Sequence, residues 1–452
     1  MSDNIHDLAL VLAAGKGTRM RSAQPKVLHS ILGSPMLAYV LNSLTQLFGE
    51  DILIVSGFGS EQLKQAFPDA RFVDQPEQQG TGDALRVALP ALKSAGATHV
   101  TVINGDVPLI SPGDIEFFIK SAGSADLAFA TITLSDPGTY GRIVRKDGIL
   151  KSVIEARDYD ISTYGEPTGE VNAGLYRIRM ETATRLIPQV GNENRTGEYY
   201  ITSLIGLAIE EGLDVRGIPC GNDANFLGIN TPAELSAAED MLAAKVAQNL
   251  LAKGVMVHAP QMLRASPFAT IEPGAHIWAP CEILGRTSIG SGARISFCTH
   301  IKDAVIEEGA QIESFTHIEN ATVRKGAKIG PYSRLRPGAD IGEGAHVGNF
   351  VELKNATLES GAKANHLSYL GDASIGAGTN IGAGTITCNY DGAKKHRTEI
   401  GKNAFIGSNS ALVAPVSVGS NAIIGAGSTI TEDVPDNNLA IARARQINKV
   451  RK

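Results

Sequence analysis

The sequence predicts an α/β domain followed by a parallel β domain built of stacked coils. Three observations carry this. From about residue 271 to 430 an apolar residue recurs every six positions, beginning Ile271, Ile277, Ile283, Ile289, Ile295, Ile301. Before residue 230, strand-like and helix-like stretches alternate. Between the two regions, Thr231-Pro232 and the helix-forming stretch 233–252 read as a single capped helix.

A period of six is neither that of a helix nor that of a simple strand. It reads as a short strand plus a turn, three units to a coil, with one inward residue per unit stacking on its equivalent in the next coil. The series slips to Ile306, resumes at Ile312 and Ile318, and slips again to Val323. It continues through Ile329, Leu335, Ile341, Val347 and Leu353, then Leu358, Ala364, Leu370, Ile375 and Ile381. A last run goes from Ile400 to Ile430. Glycines relieve the turns, and neighbouring strands would lie ~4.8 Å apart.

At 452 residues the chain exceeds one ordinary core. A formal charge of −6 gives no general attraction to nucleic acid or anionic membranes. No apolar run approaches the ~20 residues of a membrane helix, and no secretory signal is expected. Cys220, Cys281, Cys298 and Cys388 lack metal-ligand spacing, so a reducing, cytoplasmic setting is expected. The basic tail 443–452 reads as a frayed end, although basic residues beside a site could hold a phosphate.

Residues 8–14 read as a buried strand that runs into Gly15-Lys16-Gly17-Thr18-Arg19-Met20. Such a loop lets backbone N–H groups approach phosphates, and Lys16, Arg19 and Lys26 add charge. It is neither the P-loop nor the dinucleotide pattern, and a plain tight turn stays open. A helix is expected at 36–47, a strand at 51–56, a helix at 60–66 and a strand at 71–74. Gly80 and Gly82 stand just before an expected helix at 84–92. This loop could fit over a flat base with Gln75 reading its edge, or simply start the helix. The strand 99–104 ends in Gly105-Asp106, and an Asp there faces the usual ligand crevice, where it could hold a cation.

In the coils the apolar register is lost between Ile381 and Ile400, where polar residues 385–397 read as an extruded loop. Arg336, Lys354, His366 and Tyr369 lie in neighbouring coils. A lone turn histidine is more often solvated than catalytic, but His366 can accept a proton near neutrality and has more polar neighbours than its rival His346.

The segment 12–20 with Pro25-Lys26, then Gln79-Gly80-Thr81-Gly82, Gly105-Asp106, Tyr140-Gly141-Arg142-Ile143, Ile154-Glu155, Asn172-Ala173-Gly174 and Gly197-Glu198-Tyr199-Tyr200-Ile201-Thr202, resembles the sugar-phosphate nucleotidylyltransferases. The coils resemble the hexapeptide-repeat proteins, which implies a left-handed parallel β-helix. Together they resemble the bifunctional bacterial family that makes UDP-N-acetylglucosamine from glucosamine 1-phosphate.

That resemblance implies a Rossmann-like uridylyltransferase domain at 1–230, a linker helix at 231–252, and an acetyltransferase β-helix with its tail at 253–452, the coils ending near 437. Leu12, Gly15, Arg19 and Lys26 would hold the UTP, with Gln75, Gly80 and Thr81 at uracil. Gly141, Glu155 and Asn172 would bind N-acetylglucosamine 1-phosphate. Asp106 and Asn230 would hold Mg²⁺. Asn104 stands where the family more often has Tyr, so its contact stays open. For acetyl transfer, His366 would be the base, and Arg336 and Lys354 would bind glucosamine 1-phosphate. Tyr369, Asn380, Asn389 and Tyr390 would position sugar and thioester. Ala383, Ser408, Ala426 and Arg443 would line the acetyl-CoA groove, with Lys395 reaching in. Lys394 and His396 depart from the expected loop. A homotrimer is implied. The rival readings are a single-activity nucleotidylyltransferase with inert coils and a non-enzymatic scaffold. The charged Gly loop with Asp106 argues against the scaffold, and His366 with the extruded loop argues against inert coils.

Overall fold

The computed structural model describes residues 5–451 except Asn222, so the outer ends of the two predicted domains, 1–4 and Lys452, lie outside the described residues. Two compact units divide between Glu239 and Asp240, inside the helix Pro232–Ala252. Thr231 caps that helix by accepting the N–H of Glu234 at 3.2 Å. Leu242, Val246 and Leu250 are buried, whereas Met241 is exposed. No helix among the described residues is long and apolar enough to cross a membrane.

The first unit is a mixed sheet. Its order is Val215–Pro219, Leu127–Thr133, Glu170–Arg179, His99–Asn104, Asp7–Leu12, Ile52–Ser56, Arg71–Asp74. Asp7–Leu12 pairs in parallel with Ile52–Ser56 on one side and His99–Asn104 on the other. Chain order therefore reverses at this strand, which opens a crevice at its carboxyl end. Leu12 lies opposite Asn104, so the Gly15–Gly17 loop and Asp106 leave the sheet side by side. The expected helix at 84–92 is longer, Thr81–Ser94, and it contains Gly82 and Pro90. A glycine is tolerated there because first-turn N–H groups have no intrahelical partner. The N–H of Gly82 instead donates to the Tyr199 carbonyl at 2.7 Å.

The second unit is a coil of three parallel sheets of eleven, ten and nine strands. They are called faces I, II and III here and begin at Met256–His258, Leu263–Ala265 and Thr270–Ile271. The inward residues form one continuous buried core. The first coil starts earlier than the repeat suggested. Ala265 pairs with Ile283, and Val257 with Ile277, so this coil puts eight residues where the repeat has six. The register also persists further than the apolar pattern did. Buried Thr387 occupies an inward position opposite Leu412, and its hydroxyl donates to the Gly371 carbonyl at 3.0 Å. The extruded segment is therefore only 389–397.

The slips in the repeat share one cause. Each five-residue step falls at the corner between faces II and III, and an Asp or Asn turns there with positive φ: Asp303, Asn320, Asn355 and Asp372. Their short polar side chains tolerate the left-handed region. We expect Asn320→Gly to leave stability within ~0.5 kcal/mol and Asn320→Val to cost ~1–2 kcal/mol in urea unfolding. Equal stability of the two variants would contradict this account of the corner.

Candidate active sites

In the first unit a cavity of about 510 Å³ is lined by Leu12, Gly15, Arg19, Lys26, Gln75, Gly80, Thr81, Asn104, Asp106 and Asn230. A second, of about 200 Å³, is lined by Gly141, Glu155 and Asn172 and shares Arg19, Thr81, Asn104, Asp106 and Asn230 with the first. All the residues expected to serve uridylyl transfer thus line one two-chambered site, with Asp106 and Asn230 at the junction.

Backbone geometry explains several glycines. A Cβ on Gly17, where φ is 61°, would lie 2.6 Å from the Lys26 Cβ. A Cβ on Gly80, where φ is 111°, would lie 2.5 Å from the Tyr199 carbonyl. The loop before the helix is therefore bound to the 198–200 segment. Gly228 packs beside Asp106, where a Cβ would make ordinary contact with its Oδ1 at 3.4 Å. The N–H of Ile229 donates to the Asp106 carbonyl at 2.9 Å, which holds Asn230 beside the strand end.

The junction concentrates charge. The Lys26 ammonium pairs with Asp106 Oδ2 and donates to Asn230 Oδ1 at 3.0 Å. Arg19 donates to the same Asn230 oxygen at 2.8 Å. Asp106 Oδ1 is buried without a hydrogen-bond partner. A buried unsatisfied acceptor costs ~1–3 kcal/mol, so the site is built for a donor or cation it does not itself supply. One carboxylate and one amide oxygen suit a hard divalent ion completed by phosphate oxygens, and no cluster of three acidic, His or Cys side chains is found among the described residues.

In the smaller chamber Asn172 donates to the Tyr176 hydroxyl at 2.6 Å. Asn104 sits against Gly174, where a Cβ would lie 2.5 Å from its Nδ2. Glu155 accepts from the Thr202 hydroxyl at 2.8 Å. Burial pushes its carboxyl above the ordinary glutamate value. Sequence reasoning gave no role to Tyr140, Arg157 or Gly228. Tyr140 accepts the Gly228 N–H at 3.0 Å and Arg157 lines the larger chamber; Tyr140 stands in the Tyr140-Gly141-Arg142-Ile143 motif without a role of its own, and no local signal marks Arg157.

In the second unit, extended registers put His366, Ala383, Ser408 and Ala426 in one column at the corner between faces I and II. Arg443 closes it by donating to the Ala426 carbonyl at 2.8 Å. His366 is exposed, and among the described residues its imidazole has no hydrogen-bond partner. Across face II, at its other edge, Arg336 and Lys354 lie one coil apart. The Lys354 ammonium lies against Lys395 and near Arg336, and this crowding of like charge lowers its pKa. Arg336 also pairs at 2.9 Å with Glu352, a residue given no role from sequence. Tyr369 lies between the two edges. A Cβ on Gly371 would meet its hydroxyl at 2.5 Å and the Asn389 amide at 2.8 Å. Asn380 stands apart, above Lys363 on face I. It is three residues, or ~10 Å of strand, from the His366 column.

The extruded loop is an ordered hairpin. Asp391 accepts from the N–H groups of Ala393 and Lys394 at 2.7 and 2.6 Å and from His396 at 2.7 Å. His396, which departs from the expected loop, pins the turn that presents Lys395. Tyr390 is exposed and bonds only within the loop, to the Gly392 carbonyl at 2.6 Å.

Comparison with known proteins adds identity to this geometry. Residues 9–157 match the MobA-like NTP transferase domain, and 320–355 and 397–432 match the bacterial transferase hexapeptide. The bifunctional protein GlmU of Nitratidesulfovibrio vulgaris is 53% identical over 440 residues, covering 97% of both chains. GlmU of Lawsonia intracellularis is 48% identical, over 98% of this chain and 97% of its own. GlmU of Acinetobacter baylyi is 39% identical, over 97% and 96%.

The raised Glu155 pKa sets a sign for stability. The folded state binds this proton more tightly than the unfolded one, so the contribution is complete below the ordinary value of 4.5 and is lost as pH rises through the folded pKa. Relative to Glu155→Gln, the native protein should therefore lose stability as pH rises from 4.5 toward neutrality, read by urea unfolding at a series of pH values. A flat or rising difference would contradict the burial assigned to Glu155.

Proposed function

The chain belongs to the family of the bifunctional protein GlmU and is a uridyltransferase and acetyltransferase in one polypeptide, and we propose how its residues divide the two reactions. The observation that carries the uridylyl assignment is the unpartnered Asp106 oxygen where the two chambers meet. UTP lies in the larger chamber, its uracil at Gln75, Gly80 and Thr81 and its phosphates at the 15–17 backbone, Arg19 and Lys26. N-acetylglucosamine 1-phosphate lies in the smaller chamber against Gly141, Glu155 and Asn172. Its phosphate oxygen attacks the α-phosphorus and pyrophosphate leaves, so the protein supplies alignment and charge and no side chain acts as nucleophile. Asp106 and Asn230 would hold Mg²⁺, which when bound offsets repulsion between the two anionic reactants. Lys26 and Arg19 then serve the leaving pyrophosphate.

For acetyl transfer, the Arg336, Lys354 and Lys395 cluster binds the phosphate of glucosamine 1-phosphate, with Tyr369 beneath the sugar. His366 takes a proton from the amine as the C–N bond forms and the coenzyme leaves as a thiol. Acetyl-CoA runs along the small side chains of Ala383, Ser408 and Ala426 to Arg443. Asn380 lies away from this set, which favours a site completed by a second copy. Exposed Phe297, Phe315, Tyr332 and Phe350 form a ladder at the His366 corner, with centroids 5.7, 4.9 and 5.3 Å apart, continued by exposed Leu367. Four of these five bulky residues have positive φ, a costly backbone for an exposed apolar stripe. Burial against other copies in a homotrimer accounts for both features. The four free cysteines fit a reducing cytoplasm.

Asp106→Ala should lower uridylyl transfer by at least ~10²-fold and spare acetyl transfer, while His366→Ala does the reverse to the same extent, read as steady-state rates of each half-reaction. Equal loss of both activities in either folded variant would end the two-site assignment. Sedimentation should give three times the 47.5 kDa chain mass, and Phe350→Glu should reduce it. A monomer with full acetyltransferase activity would defeat the shared site.

A further inference from the structure

The larger chamber contains one polar side chain whose orientation is locked from behind. Gln75 is only 3% exposed. Its backbone N–H donates to the Ser56 carbonyl at 2.7 Å. Its amide nitrogen Nε2 donates to Asp83 Oδ2 at 2.7 Å and to the Gly80 carbonyl at 3.1 Å. A carboxamide has two N–H donors, so both are used and only Oε1 remains for a ligand. Turning the amide over would set Oε1 against a carboxylate oxygen and a carbonyl oxygen, acceptor against acceptor.

Asp83 is itself held in place. It is 9% exposed, in the first turn of the helix Thr81–Ser94. Its other oxygen lies 3.5 Å from the Arg86 guanidinium. Arg86 is fixed in turn by the Tyr199 ring at 4.2 Å and by the Val190 carbonyl at 3.4 Å. Asp83 does not line the chamber.

We infer that Asp83 is the positioning residue that makes the base subsite select uracil over cytosine, acting through Gln75. This rests on the reading that Gln75 faces the base of UTP. Uracil offers an N3–H donor to the fixed Oε1. Cytosine offers a bare N3 lone pair at the same ring position and would leave two buried acceptors opposed. Sites built for one hydrogen-bond pattern reject the wrong partner through such unpaired groups. Without the carboxylate, only the longer bond to the Gly80 carbonyl at 3.1 Å sets which end of the Gln75 amide meets the base.

The test compares UTP with CTP in the full-length enzyme. Asp83→Asn is nearly isosteric but can present either an oxygen or an N–H to Gln75. It should lower the UTP-to-CTP ratio of kcat/KM by at least ~10-fold, through KM more than kcat. Calorimetric binding of the two nucleotides should show the same shift. Arg86→Gln, which loosens Asp83 without touching Gln75, should move the ratio the same way by a smaller factor and serves if the first variant folds poorly. Gln75→Ala should remove most of the discrimination, and Asp83→Asn added to it should change the ratio by less than ~2-fold. An unchanged ratio in Asp83→Asn beside a collapsed one in Gln75→Ala overturns the role of Asp83. An unchanged ratio in Gln75→Ala overturns instead the placement of uracil at Gln75.

Discussion

The fixed register between stacked coils is the constraint on which the acetyl-transfer half depends. Each inward branched residue rests on its equivalent one coil below, as Ile295 does on Ile277 and Ile312 on Ile295. Burial of these columns and the backbone ladders between them leave a coil no freedom to slide, because a slip would turn inward residues outward. Sequence spacing thereby becomes spatial position. Five-residue steps are confined to the corner between faces II and III, so the corner between faces I and II keeps its six-residue spacing from Ile277 onward. That aligned corner carries the aromatic ladder, His366 and the column Ala383, Ser408, Ala426.

The first unit solves a different problem. In the proposed uridylyl reaction it must hold two anionic reactants close together, at the strand end where chain order reverses. Lys26 and Arg19 converge on Asn230, Lys26 also covers one Asp106 oxygen, and the other oxygen is left buried and unpaired. A carboxylate in that state is a standing cost to the fold. It is repaid only when a cation or donor arrives, which is the mark of a site organised before its ligand binds. The two units thus use unrelated physics, columnar packing in one and charge convergence in the other.

What was legible in the sequence follows from this difference. The coil repeat was plain because burial demands an apolar residue at each inward position and nothing else repeats by six. It failed where an inward position was polar, at Thr387, and where a coil carried extra residues, between Val257 and Ala265. The charged loop, Asp106 and the glycines were visible as local patterns. The reason for Gly80 and Gly82 was not, since it lies in the Tyr199 backbone more than a hundred residues away. Asp83, Tyr140 and Glu352 act through partners that only the fold brings near, and spacing gives them no role. The start of the helix Thr81–Ser94 was misplaced for the same reason, because a long-range bond to Gly82 stabilises a first turn that local propensity disfavours.

The central claim is that one chain carries two chemically independent sites linked by a product that one releases and the other takes up. The most direct measurement mixes Asp106→Ala protein with His366→Ala protein and supplies glucosamine 1-phosphate, acetyl-CoA, UTP and Mg²⁺. Neither variant alone should form UDP-N-acetylglucosamine, and the mixture should form it with a lag as the acetylated intermediate accumulates. A mixture as inactive as its components would contradict the claim and require both residues to serve a single reaction.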